Sequence, residues 1–97
     1  MPFVQIMEIT ASDFDAVRKI DEEWIKATEG KRTARRQIVT QDRNNPERYL
    51  ALVFFDSYES AMANSSLPET QAFADRYREV TKEISFRDLD VIADQTL

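Results

Sequence analysis

Apolar residues fill every position from Tyr49 to Phe55, immediately before an acid and a hydroxyl residue. This pattern indicates a β-strand, in which successive side chains point to opposite faces. Its two faces are Leu50, Leu52 and Phe54 on one side and Tyr49, Ala51, Val53 and Phe55 on the other. Both faces are apolar and both need cover. About two helices are available, so we expect them to cover one face and a partner chain or a ligand to cover the other.

The N-terminal third of the chain predicts a strand followed by a helix. The strand runs from Phe3 to Ile9 and is rich in aromatic and branched residues. Ser12 is the expected N-cap of the helix, with Asp15 at its third position. Apolar positions then recur at intervals of three and four, as on one helical face: Phe14, Val17, Ile20, Trp24 and Thr28. Gly30, the only glycine, stands where a helix commonly ends in the left-handed conformation.

The middle of the chain predicts an antiparallel hairpin. A strand from Thr33 to Asp42 and a strand from Arg48 to Phe55 flank the turn residues Asn44, Asn45 and Pro46. Asp56 or Ser57 is expected to cap the helix that follows, because Asp56 and Glu59 have the spacing of a capping box.

The C-terminal part predicts an interrupted helix and a last strand. The helix is expected to break between Asn64 and Pro68, because proline restricts the residue before it, and a second segment opens at Pro68. Its buried face is expected to be Phe73, Tyr77, Val80 and Ile84. The strand is predicted from Ser85 to Ala93, with Leu89 and Val91 inward and Asp88 and Asp90 outward.

The element order is therefore β-α-β-β-α-β, which predicts an α+β, ferredoxin-like fold. Such a fold has a four-stranded antiparallel sheet with both helices on one face. We expect residues 1–97 to form a single domain.

Composition excludes several kinds of chemistry. The chain contains no cysteine and no histidine, so thiolate sites and histidine-based catalysis or metal binding are absent, and no metal site or cofactor is predicted. The net charge of -5 disfavours nucleic acid and membrane partners. With no signal peptide and no stretch long enough to span a bilayer, the default expectation is a cytoplasmic protein.

One long segment is similar to a known family. Residues 48–62, followed by Asn64-Ser65 and Pro68-Glu69-Thr70, resemble the antibiotic-biosynthesis-monooxygenase-like group of dimeric α/β barrel proteins. Residues 86–91 fit the last strand of that group. The likeness spans most of the chain but rests mainly on strand and helix-cap positions.

The resemblance implies a homodimer in which two sheets pack face to face as a dimeric α/β barrel, in agreement with the two apolar faces of residues 49–55. Some members of the group are cofactor-independent oxygenases of polycyclic phenols and quinones. Others degrade haem with an asparagine, a histidine and a tryptophan. Because this chain has no histidine, haem degradation is not expected.

Candidate ligand-binding residues come from the helices, the strands and the single basic cluster of residues 31–36. They are Trp24, Arg36, Phe54, Asn64, Phe73 and Tyr77. Each has a simpler interpretation: the aromatic residues can be core, Asn64 can end a helix, and arginines can be solvated or paired with acids. Arg35 and Arg36 point opposite ways on a strand, so one of them is expected to face inward. No catalytic residue can be named from the sequence.

Three functions remain open. The first is a cofactor-independent monooxygenase-like enzyme acting on a small aromatic, phenol- or quinone-type substrate. The second is a non-catalytic dimeric protein that binds a ligand or is related to stress. The third is RNA binding, because RNA-recognition motifs share this element order, but Leu50 and Leu52 stand where stacking aromatic residues would be needed.

Overall fold

A computed structural model describes residues 1–97 and contains one four-stranded antiparallel sheet with its helices on one face. The elements are β1 (Phe3–Thr10), α1 (Phe14–Ala27), β2 (Arg36–Gln41), β3 (Arg48–Phe55), α2 (Tyr58–Ser65), α3 (Pro68–Val80) and β4 (Glu83–Asp90). The strand order is β2-β3-β1-β4. The predicted ferredoxin-like class is confirmed, and within one chain the sheet is open rather than closed into a barrel.

The N-cap of α1 differs from the prediction. Asp13, not Ser12, caps the helix: its Oδ1 accepts from the backbone N–H of Asp15 at 3.1 Å and of Ala16 at 3.4 Å. Aspartate and serine are about equally good N-caps, and the carboxylate of aspartate also interacts favourably with the helix dipole. Gly30 has φ +79°, as expected for the turn that follows the helix.

The second cap is Ser57, one of the two predicted residues, but the capping box is not the predicted pair of Asp56 and Glu59. Ser57 and Ser60 form the capping box of α2, with each side chain accepting from the backbone N–H of the other at 3.0 and 3.1 Å. Asp56 instead accepts from Arg35. The break before Pro68 is as predicted, and Pro68 lies in the first turn of α3, where its missing N–H costs little.

β4 begins and ends earlier than the predicted Ser85 to Ala93, so that Val91 lies outside the strand, and its two faces are the reverse of the prediction. Ile84 belongs to the strand and not to the preceding helix. It packs against the same core cluster as Phe73 and Val80 of α3. Asp88 lies beside Gln5 in register and therefore shares the helix-covered side of the sheet, whereas Leu89 lies on the opposite side. Both acids are exposed, as are most residues of this edge strand.

The core lies between the helices and the sheet. Its largest cluster of buried residues comprises Met7, Ile9, Ala11, Val17, Ile20, Tyr49, Ala51 and Tyr77. A second cluster comprises Phe3, Phe55 and Ala61. The odd-numbered residues of β3 therefore face the helices, as the alternation indicates.

The opposite face of the sheet carries no helix, and we call it the open face. Its apolar residues come from all four strands: Val4, Ile6, Ile38, Leu50, Leu52, Phe54 and Leu89. Most of them are half-buried by their neighbours alone. Glu8 lies between Arg48 and Arg87 at one end of this face, with N–O distances of 3.7 and 3.3 Å.

Candidate functional site

A cavity of about 290 Å³ lies between the sheet and the helices α1 and α3. Three aromatic side chains form its helical wall: Trp24 of α1, and Phe73 and Tyr77 of α3. The ring centroids are 5.9 Å apart between Trp24 and Phe73 and 4.7 Å apart between Phe73 and Tyr77. Both pairs are tilted, a favourable arrangement for aromatic rings.

The sheet forms the floor of the cavity. Its apolar lining residues are Met7, Val53, Phe55, Ile84 and Phe86. Two amides interrupt this surface, Gln5 of β1 and Gln37 of β2. Ligand sites commonly combine apolar walls with a few polar groups and range from about 300 to 1,000 Å³. A cavity at the lower end of this range fits a small ligand.

Trp24 is held in place by a hydrogen bond. Its Nε1–H donates to Oγ1 of Thr70 at 3.0 Å, so the indole is fixed between α1 and the first turn of α3. The sequence offered two interpretations of Trp24, core residue or pocket wall. The side chain is half-buried and lines the cavity, so it serves the packing of α1 while presenting its ring to the cavity.

Asn64 presents a hydrogen-bond donor to the cavity. The side chain is only 6 % exposed and lies in the last turn of α2. Its Oδ1 accepts from the backbone N–H of Thr33 at 3.3 Å, which fixes the orientation of the amide. The side-chain NH₂ has no hydrogen-bond partner in the protein, so it is free to donate to a ligand oxygen.

Asp21 is the only carboxylate among the residues that line the cavity. It is held by Gln37, whose Nε2 donates to its Oδ1 at 3.2 Å. Burial raises the pKa of the Asp21 carboxyl above its usual range; the Gln37 hydrogen bond opposes this shift, and the charge of Glu22 adds to it. The cavity therefore contains a carboxyl that takes up a proton more readily than a solvated aspartate does.

Tyr77 lies deeper, with 3 % of its surface exposed. Burial, followed by the nearby charge of Asp21, raises the pKa of its phenol above the ordinary value. Its hydroxyl remains protonated at neutral pH, and no protein group accepts from it. Tyr77 thus adds a second neutral donor to the cavity.

The structure brings four of the six candidate residues together and separates the other two. Trp24, Asn64, Phe73 and Tyr77 line one cavity. Phe54 lies on the open face, and Phe55 takes a place in the cavity instead, because adjacent strand residues alternate between faces. Arg36 pairs in register with Phe54 and lines a smaller depression of about 170 Å³ that shares Trp24 with the cavity.

Two of the four basic side chains of residues 31–36 form ion pairs. Lys31 contacts Glu69 at 2.8 Å, and Arg35 donates through Nε and Nη2 to Oδ2 of Asp56 at 3.0 and 2.7 Å. The Arg35 contact holds the pKa of the Asp56 carboxyl below its usual range. Protein contacts therefore account for Lys31, Arg35 and Arg32, which donates to the backbone oxygen of Ile25, whereas Arg36 has no ion pair and lines the smaller depression.

Asp21 and Gln37 were not predicted from the sequence as site residues. A signal for Asp21 was present: it lies four residues after Val17 and three before Trp24, on the apolar face of α1. A carboxylate at such a position needs a partner or a function. Gln37 carries no comparable signal, because polar residues are common on an edge strand.

Two features are absent from the structure. No group of three or more acidic side chains is placed to hold a metal ion. None of the helices combines the length and the apolar character needed to cross a membrane.

Solved structures resemble this one over nearly the whole chain. SnoaB from Streptomyces nogalater, named as a cofactor-independent oxygenase, superposes with a TM-score of 0.82 over 99% of this chain and 96% of its own, at 12% identity. This chain has the fold of the antibiotic biosynthesis monooxygenase-like proteins. The resemblance of residues 48–62 to this group of proteins is thereby confirmed at the level of the fold.

Two further structures with the monooxygenase-like fold come from proteins provisionally assigned as antibiotic biosynthesis monooxygenases. The protein from Deinococcus radiodurans has a TM-score of 0.79 and 14% identity over 98% of this chain and 97% of its own. The protein from Chloroflexus aurantiacus has a TM-score of 0.75 and 20% identity over 99% and 98%. No family model and no curated protein matches the sequence.

Proposed function

We propose that this protein is a cofactor-independent monooxygenase that acts on a small aromatic substrate of the phenol or quinone type. The observation that carries the proposal is the aromatic-walled cavity with unpartnered donors, in a fold shared with a cofactor-independent oxygenase. An aromatic ring packs well against Trp24 and Phe73, and an apolar cavity favours a flat, weakly hydrated molecule.

The proposed reaction needs few protein groups. A bound phenol loses its proton, and the electron-rich phenolate reacts with molecular oxygen. One oxygen atom enters the ring as a new carbonyl and the other leaves as water, so the substrate itself supplies the electrons. The NH₂ of Asn64 is the proposed donor to the substrate oxygen on which negative charge develops. Donors fixed in advance in a dry site stabilise such charge strongly.

We also propose that two chains pair through their open faces to form the homodimeric barrel that the family resemblance implies. Seven apolar side chains lie on that face without a helix, and contiguous exposed apolar surface of this kind is typical of interaction sites. A symmetric dimer would pair this surface with its own copy across a two-fold axis. The ligand cavity lies on the other side of the sheet, so each chain keeps its own site.

The test of the function is oxygen consumption with a panel of mono-, di- and tricyclic phenols and no added cofactor. Asn64→Ala should lower kcat about 10²–10³-fold with a much smaller change in KM, because the lost donor acts mainly in the transition state. Asn64→Asp keeps the oxygen that accepts from Thr33 and removes the NH₂, so it should be equally impaired even if the alanine variant unfolds.

Asn44→Ala is the matched control, because Asn44 is an exposed turn residue far from the cavity in the fold. It should leave turnover unchanged. If wild-type protein binds phenols but never consumes oxygen, the non-catalytic ligand-binding interpretation replaces the enzymatic one. If Asn64→Asp turns over normally, the assigned role of Asn64 is wrong.

A further inference from the structure

The proposed reaction leaves one question open, namely which group removes the phenolic proton. A general base must touch the proton that it abstracts and must be unprotonated beforehand. The chain contains no histidine, so the usual base is absent. The base must therefore be found among the ionisable residues that line the cavity.

Three lining residues ionise: Asp21 on α1, and Tyr77 and Arg78 on α3. The residues that the sheet contributes to the lining are all neutral. Arginine stays protonated in proteins, so Arg78 cannot accept a proton. Burial and the charge of Asp21 raise the pKa of Tyr77, so its phenol is also protonated at neutral pH. Of these three residues, only Asp21 can accept the phenolic proton, through the carboxylate oxygen that has no hydrogen-bond partner in the protein.

The structure assigns to Asp21 the role of the catalytic base that takes the proton from the phenol, an inference that rests on the proposed function. In this step the O–H bond of the substrate breaks and an O–H bond forms on a carboxylate oxygen of Asp21. The products are a phenolate and a neutral carboxylic acid, so charge and protons balance. No metal, cofactor or further reactant is consumed.

The surroundings of Asp21 fit this role. Gln37 occupies one carboxylate oxygen, Oδ1, and so holds the side chain in a fixed orientation with the other oxygen available. Burial favours the protonated carboxyl after the transfer, and the negative charge of Glu22 on the outside of α1 has the same effect. Once Asp21 is neutral, it no longer repels the phenolate beside it. Tyr77 can then donate to the same anion.

A binding experiment tests the inference without turnover. The probe is para-nitrophenol. It is titrated into the protein at a pH above the pKa of the free phenol, in two buffers that differ in ionisation enthalpy. Phenolate can lie beside Asp21 only if the carboxyl takes up a proton, so calorimetry of the wild type should show uptake of about one proton per site. Asp21→Asn should bind the same phenolate several-fold more tightly and take up no proton.

A turnover experiment complements it. With the phenol that the wild type oxidises, Asp21→Asn should lower kcat/KM about 10²–10³-fold at neutral pH. The kcat/KM of this variant should recover as the pH approaches the pKa of the free substrate. A residue with a structural role only would weaken binding and would not recover with pH. Glu29→Gln removes the same charge from an exposed position just beyond the C-terminal end of α1, and it should change kcat/KM less than about threefold.

The outcomes separate the two proposals. Proton uptake that disappears in Asp21→Asn supports the inference even if no phenol is ever oxidised, in which case the proposed function alone fails. Wild-type binding without proton uptake, absence of phenol binding, or normal turnover of Asp21→Asn at neutral pH would overturn the inference.

Discussion

The two faces of the sheet are both apolar, yet they are organised differently. On the helix-covered face, residues such as Ile9 and Ala51 are almost completely buried, and a few polar groups line the cavity beside them. On the open face, side chains such as Ile6 and Leu52 are only half-buried; Glu8 pairs with two arginines at one end, and Arg36 lies beside Phe54 at the other.

This difference shows how a short chain divides its apolar surface. Small domains bury a limited fraction of their surface, so one layer of helices cannot cover both sides of a sheet. The covered face provides the stability of the single chain and the space for a ligand. The open face is the surface that we assign to a second copy, and substitutions on the two faces should therefore differ in their dependence on protein concentration.

The largest expected effect comes from a charge placed at the centre of the open face. Leu52→Asp should weaken the homodimer about 10²–10³-fold or more, because burying an unpaired charge in an interface costs several kcal/mol. Sedimentation equilibrium measures the change. The monomer should remain folded, since the new carboxylate is solvated once the partner leaves.

Val39→Lys is the matched control for that variant. Val39 is 45% exposed and lies on the helix-covered side of the edge strand β2, so the same kind of change should leave the dimer intact. A wild-type protein that sediments as a monomer would rule out pairing through the open face.

A second prediction compares two isoleucines of β1 that lie three residues apart on opposite faces. Ile9→Ala should lower the free energy of unfolding by about 2–5 kcal/mol at every protein concentration, because the side chain is fully buried and its removal leaves a cavity. Ile6→Ala should cost less in the monomer, and its cost should grow with concentration as the dimer forms.

Urea denaturation of both isoleucine variants at several protein concentrations measures this contrast. If Ile6→Ala shows the same loss at all concentrations, the open face contributes nothing to assembly. The wild-type transition should itself shift with concentration.

The smallest effect concerns the carboxylate in the cavity. The folded-state pKa of Asp21 is raised above its ordinary value of 3.8, so ionising it destabilises the fold as pH rises through that pKa. Asp21→Asn should therefore have a higher Tm than the wild type at neutral pH. The advantage should shrink as pH falls through the raised pKa and vanish below the ordinary value.

Glu22→Gln should give a much smaller change in Tm, because Glu22 is exposed and has no burial penalty to relieve. Thermal unfolding monitored by circular dichroism between acidic and neutral pH measures both variants. A lower Tm for Asp21→Asn at neutral pH would show that the ionised carboxylate stabilises the fold, contrary to this prediction.

The sequence predicts β3 well, and the reasons are local, whereas β2 is Arg36–Gln41 and shorter than the predicted Thr33 to Asp42. β3 was predicted with its observed limits because a turn precedes it and a helix cap follows it, while every position between is strand-forming. β4 was placed less accurately. Ile84 continues the helical spacing of α3 in the sequence, although it lies in β4 and packs against the core from the sheet. The acids of β4 indicate that their side chains are exposed, but not which face of the sheet they occupy.

The candidate site shows the same division between local and non-local information. Trp24, Phe73 and Tyr77 could be found from helical spacing, because residues on one helical face meet the same neighbours. Phe54 could not be distinguished from Phe55, because the choice of face depends on where the helices pack. The contact between Asp21 and Gln37 joins a helix to an edge strand, and no spacing within the sequence encodes it.

The strand order leaves β2 and β4 as the two edges of the sheet, each with unpaired backbone groups that could recruit another strand. β4 carries four charged residues among its eight, Glu83, Arg87, Asp88 and Asp90, and β2 is only six residues long. Charged and short edges oppose the addition of strands from neighbouring molecules. Association of this protein is thus directed away from open-ended ribbons and fibrils and towards a finite particle.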